Sequence, residues 1–140
     1  MRTITQIIIH CSATPEGRDC SVADIRRWHQ QRGFKDIGYH FVVYRDGSIH
    51  QGRRIEQVGA HCLCHNAHSI GVCYIGGLAP DGKTPKDTRT PQQKTALSRL
   101  LRRLHSLFPQ ATLHGHREFA HKACPSFNVH DDYDQLFACH

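Results

Sequence analysis

With 140 residues, 39% of them hydrophobic and 21% charged, the chain is sized for one domain that buries its own core without disulfide staples. It contains no run of about 18 apolar residues, which excludes a membrane-spanning helix. The formal charge of +6 favours polyanionic partners, but the basic residues are scattered apart from Arg53-Arg54 and Arg102-Arg103, and no nucleic-acid-binding motif accompanies them, so nucleic acid is not the expected partner.

The segment from Ile4 to His10 reads as a buried strand, β-branched and followed by a turn-rich stretch. Ser21 to Asp24 forms a capping box that opens a helix running to about Arg32, where Gly33 closes it. Tyr39 to Tyr44 and Ser48 to Gln51 flank Arg45-Asp46-Gly47, a hairpin signal. Ile70 to Gly76 predicts another buried strand, and residues 77–90 a solvated loop. Thr90-Pro91-Gln92-Gln93 supplies an N-cap, a proline in the first turn and a reciprocal cap. The helix that follows lays Leu97, Leu100, Leu101, Leu104 and Leu107 on a core until Pro109. Ala111 to His114 predicts a short strand leading His116 into a loop, and Asp131 to Phe137 a last helical turn or two. Interleaved strands and helices favour a single α/β domain over residues 1–140.

The chemistry gathers at two places. His10 ends the first strand, and the stretch His116 to Cys124-Pro125 brings an imidazole and a thiol within reach of one loop. Two imidazoles and a thiolate are one ligand short of a closed tetrahedral zinc site, the composition of a catalytic site that keeps a position for water. Such a water, with its pKa lowered to roughly 7, attacks carbonyls. With 13 histidines, picking any two is cheap, and the case rests on His10 being held by rigid backbone and on Lys122 as a cation favouring the Cys124 thiolate. His114, two residues before His116, is the best rival ligand. His40 is expected on the opposite face of its strand, and His121 in solvent. The 7 cysteines are odd in number and no export signal precedes them, so mostly reduced thiols are expected. Cys73 reads as a small buried hydrophobe.

The segments Ile8-Ile9-His10-Cys11-Ser12-Ala13-Thr14, Gly38-Tyr39-His40-Phe41, Val58-Gly59-Ala60-His61, Ser69-Ile70-Gly71-Val72-Cys73 and Gly115-His116-Arg117-Glu118, continued by Lys122-Ala123-Cys124-Pro125, resemble the N-acetylmuramoyl-L-alanine amidases of the bacteriophage lysozyme type. These are relatives of the peptidoglycan recognition proteins, and the resemblance runs from about residue 6 to 129. It implies a central mixed β-sheet flanked by helices, with one zinc per chain at the floor of an open groove. It further implies hydrolysis of the amide between N-acetylmuramic acid and the L-alanine of the stem peptide by a zinc-bound water. His10, His116 and Cys124 match the ligand positions, and Tyr39 and Lys122 the positions tied to catalysis. His61 and Asn66 match a groove wall that touches substrate, His61 otherwise lying behind the ligands.

The alternative is a peptidoglycan-binding module without turnover, against which the full ligand set and Tyr39 and Lys122 speak. The cluster His61-Cys62-Leu63-Cys64-His65 tempts a second-metal reading, but lacks the two-residue gap common in structural zinc sites. A leaderless chain made in the cytoplasm, monomeric and not inserted in the membrane, would act on the wall after release through a holin-like export partner.

Overall fold

The computed structural model describes residues 1–137, so the last three residues of the expected domain lie outside the described residues. In chain order its elements are β1 (Gln6–Cys11), β2 (Thr14–Pro15), α1 (Val22–Gln31), β3 (Phe41–Val43), β4 (Ile49–Gln51), β5 (Ser69–Tyr74), β6 (Gly77–Leu78), α2 (Pro91–Leu107), β7 (Thr112–Gly115) and α3 (Val129–Tyr133). Short 3₁₀ turns at Asn66–His68, His116–Glu118 and Asp134–Phe137 complete it.

The main sheet has the order β4-β3-β5-β1-β7. Its pairings are parallel except for the β3–β4 hairpin, where Gly47 takes φ +88°. β1 lies between β5 and β7 and is covered on both faces, which is why it reads as an unbroken apolar run. Successive side chains alternate in direction. Ile7, Ile9 and Cys11, with Ile70, Val72 and Tyr74 of β5, pack with Leu97, Leu100, Leu101 and Leu104 of α2. Ile8 and His10 alternate to the other face, so the strand that builds the core also delivers His10 away from it.

Both predicted helix starts are present. Ser21 and Asp24 cap α1 reciprocally, and Gly33 beyond its end has φ +96°. Thr90 and Gln93 do the same for α2. Gln93 has a further role that its place in a capping box did not reveal. It is fully buried, and its Nε2 donates to the carbonyls of Val43 at 3.2 Å and Ile75 at 3.0 Å, tying α2 to the sheet. Around α1 a smaller core gathers Cys20, Ile25, Ile37, Val42 and Ile75, with Trp28 against it. Some boundaries differ from expectation. β1 begins at Gln6 because Ile4, although buried, has no ladder partner, and β7 is shifted one residue onward, to Gly115. The loop over 77–90 contains β6, which pairs in parallel with β2.

Replacing Gln93 by Leu leaves the buried Ile75 carbonyl without its partner, takes one of two donors from the Val43 carbonyl, and removes half of a cap. Urea unfolding should show a loss of about 2–4 kcal/mol, and a loss below about 0.5 kcal/mol, the range of ordinary surface changes, would refute that role.

Candidate metal centre

β1 places His10, which is 1% exposed, at its penultimate position. β7 ends where a 3₁₀ turn begins, and that turn presents His116. Glu118 closes the turn by accepting from the Gly115 N–H at 2.6 Å, and the Arg117 N–H donates to the Cys124 carbonyl at 2.7 Å, folding the Cys124 loop back onto it. The result is that one nitrogen each from His10 and His116 and the sulfur of Cys124 lie within 4.8 Å of one another. His10 Nδ1 is 3.1 Å from His116 Nδ1 and 3.9 Å from Cys124 Sγ. Zinc bonds of this kind in a tetrahedron need ligand separations of roughly 3.3–3.8 Å; the two observed separations straddle that range, each within about 0.2 Å of it, so the donor set fits zinc after a small adjustment of the side chains.

Behind His10 a chain of imidazoles fixes which nitrogen faces the cluster. With the Nδ1 lone pair directed there, His10 Nε2–H donates to His61 Nδ1 at 2.8 Å. His61 Nε2–H in turn donates to Ser69 Oγ at 3.1 Å. Asn66 Oδ1 accepts from the His61 and Cys62 backbone N–H groups, both at 2.9 Å, and so holds the loop that carries His61. Gly71 is small for the same reason, since a Cβ there would come within 2.7 Å of the His61 ring. The polar groups of His61 and Asn66 described here are committed to internal bonds, although both residues line the groove. His40 is fully buried, receiving the Gly71 N–H on Nδ1 and donating from Nε2 to the Gln57 carbonyl, a structural role.

The electrostatics keep the imidazoles neutral. Burial, with contributions from His61, His116 and Lys122, holds His10 well below its ordinary pKa. Burial also brings His61 down to about 3 and, with Lys122, lowers His116. Cys11 and Cys124 behave as a pair. A hydrogen bond from Cys124 pulls the Cys11 thiol down to about 7, and the same bond pushes Cys124 up, so one proton leaves easily and the second resists. The Cys11 backbone N–H, 3.2 Å from Cys124 Sγ, favours placing the charge on Cys124. The charge of Lys122 lowers the pKa of both His10 and His116.

A groove of about 650 Å³ opens over this centre, lined by Tyr39, His61, Asn66, His116 and Lys122 among others. The Tyr39 ring lies 5.0 Å from that of His10. Burial, with Cys73, Cys124 and Cys11 nearby, pushes its phenol well above the ordinary value, so the hydroxyl stays protonated. Arg32, Phe34 and Phe119 also line the groove, and sequence reasoning missed them because an exposed arginine and isolated aromatics carry no spacing signal. His114 is turned toward Glu118 and not toward the cluster, and His121 is exposed. Within His61 to His65, Cys62 is buried and Cys64 exposed, and among the described residues the loop forms no metal-binding group of its own.

The family model for N-acetylmuramoyl-L-alanine amidase matches residues 1–127. The endolysin of Enterobacteria phage K11 is 42% identical over 125 residues, covering 89% of this chain and 82% of that protein. Among solved structures, the N-acetylmuramoyl-L-alanine amidase LysC of Clostridium intestinale superposes with a TM-score of 0.78 at 30% identity, over 91% of this chain and 79% of its own. Drosophila PGRP-LB does so with a TM-score of 0.74 at 27% identity, over 98% and 79%.

Replacing His61 by Ala removes the acceptor that orients His10. Zinc affinity measured by chelator competition should fall about 10–100-fold, the range typical for such supporting partners. An unchanged affinity would mean that His10 does not need that bond.

Proposed function

The chain belongs to the N-acetylmuramoyl-L-alanine amidase family, a peptidoglycan amidase of the cell wall, and from that membership we propose a zinc-dependent cut at the amide joining N-acetylmuramic acid to the L-alanine of the stem peptide. The observation that carries the zinc reading is the convergence of His10, His116 and Cys124 at coordination spacing. These three side chains would hold the ion. When bound, zinc supplies a hydrolytic nucleophile near neutral pH and Lewis acidity toward the scissile carbonyl.

The remaining tasks fall to groups of the groove. Amide hydrolysis passes through a tetrahedral oxyanion, and Lys122 brings an ammonium to the groove beside the imidazoles. Sharing that developing charge is worth about 3–4 kcal/mol by comparison with other oxyanion donors. Tyr39, a neutral hydroxyl close to His10, is suited to orient the attacking water by hydrogen bonding. His61 keeps the His10 lone pair aimed and Asn66 keeps the His61 loop in place, so both contribute to the groove wall by positioning. We further propose, by analogy with phage endolysins, that it reaches the wall through a holin-like export partner and acts as a monomer.

Digestion of purified sacculi with and without chelator, followed by detection of newly freed L-alanine amino termini, tests the reading. Activity that zinc restores after chelation supports it, and undiminished activity in verified metal-free protein overturns it. Cys124→Ala should lose zinc and turnover together, whereas Tyr39→Phe should retain zinc and lose most turnover. For Lys122→Ala the fall should be in kcat, by about 10²–10³-fold. An effect confined to KM would make Lys122 a binding residue.

A further inference from the structure

We infer that His114, Glu118 and His130 form a second binding site, separate from the His10, His116 and Cys124 centre, for a divalent first-row transition ion of the zinc class. His114 comes from β7, Glu118 from the 3₁₀ turn and His130 from α3, and their ligand atoms lie within 4.8 Å of one another. His114 Nδ1 is 3.1 Å from Glu118 Oε1, and His130 Nε2 is 3.0 Å from Glu118 Oε2.

The outer nitrogens distinguish this from a chance surface cluster. Thr112 Oγ1 is 2.7 Å from His114 Nε2, and Asp134 Oδ1 is 2.7 Å from His130 Nδ1. Each imidazole can therefore give its outer N–H to an oxygen and turn its inner lone pair toward the carboxylate. The carboxylate–histidine arrangement at His130 is the one that orients metal-bound histidines and raises their basicity. Glu118 is also held, because its Oε2 accepts the Gly115 N–H at 2.6 Å. Two imidazoles and one carboxylate suit zinc, cobalt, nickel or copper and not the oxygen-seeking magnesium or calcium. His114 and His130 are partly exposed, leaving room for water to complete the shell.

The site adjoins the first without sharing a ligand. Glu118 and His116 belong to one 3₁₀ turn, and the His114 ring packs 5.0 Å from Phe119, which stacks at 4.0 Å on His65 of the groove wall. An ion there would brace the turn that carries His116 and one side of the groove.

Cobalt separates the two sites. A centre containing the Cys124 thiolate gives sulfur-to-cobalt charge-transfer absorption, whereas a nitrogen and oxygen site gives only weak visible bands. Equilibrium dialysis of the full chain with Co²⁺ should find two equivalents. His130→Ala should lose the second equivalent and keep the charge-transfer band, and Cys124→Ser should do the reverse. Asp134→Asn, which leaves all three ligands in place, should weaken the second equivalent about tenfold or more. The inference is overturned if the wild type takes one equivalent and that one shows charge transfer, if a second also shows charge transfer, or if His130→Ala or Asp134→Asn leaves the nitrogen and oxygen equivalent unchanged in protein with native circular dichroism. Failure of the zinc amidase reading would appear elsewhere, as a wild type with no charge-transfer band.

Discussion

Parallel register across the middle of the sheet is the constraint on which the site depends. Ile9 pairs with both Val72 and Gly115, so the residues just beyond, His10 on β1 and His116 after β7, emerge side by side although 106 positions separate them. A slip of β1 by one residue would turn His10 toward the α2 face and bring an isoleucine to the groove. The burial of Ile7 and Ile9 against the leucines of α2 opposes that slip, because every apolar side chain of the strand would change face together. The core thus selects the register, and the register places the ligand.

Burying several imidazoles behind the site is costly unless each nitrogen finds a partner. The chain from His10 through His61 to Ser69, and the separate pair of bonds made by His40, meet that requirement with neutral rings. Neutrality has a chemical consequence. The burial that keeps these rings from taking a proton leaves the lone pairs of His10 and His116 free for a metal. Glycine at 71 gives the His61 ring its space, linking a backbone choice in β5 to the orientation of a ligand in β1.

Local signals made much of this legible. The Ser21 and Thr90 capping boxes, the Asp46-Gly47 turn and the leucine spacing of α2 are short-range features that the tertiary structure keeps intact. Among site residues, His10, His116 and Cys124 could be nominated from residue type and strand placement, and the ordered motifs added Tyr39, Lys122, His61 and Asn66. What sequence could not supply were relations between distant side chains. The His10 to His61 bond spans 51 positions, and Gln93 meets carbonyls 50 and 18 residues away. The Cys11 backbone N–H that reaches Cys124 Sγ across 113 positions is another such relation.

The segment that carries His116 and Cys124 has anchors of its own, all of them protein to protein. The Tyr74 hydroxyl donates to the Pro125 carbonyl at 2.7 Å, and Ser126 Oγ donates to the Gly77 carbonyl at 2.9 Å. Farther along, the buried Arg89 guanidinium pairs with Asp87 and Asp132, donates to the Tyr133 hydroxyl and lies 3.4 Å over the Phe127 ring. Leaving such a guanidinium unpaired would be strongly destabilising, so the α3 region is held to the body of the fold. Preorganisation of this kind matters for affinity, since an ion that had to order the segment would lose part of its binding free energy in doing so. The core fixes β1 and the Arg89 network fixes the segment that follows Cys124, so an ion held by His10, His116 and Cys124 would find its donors already in place.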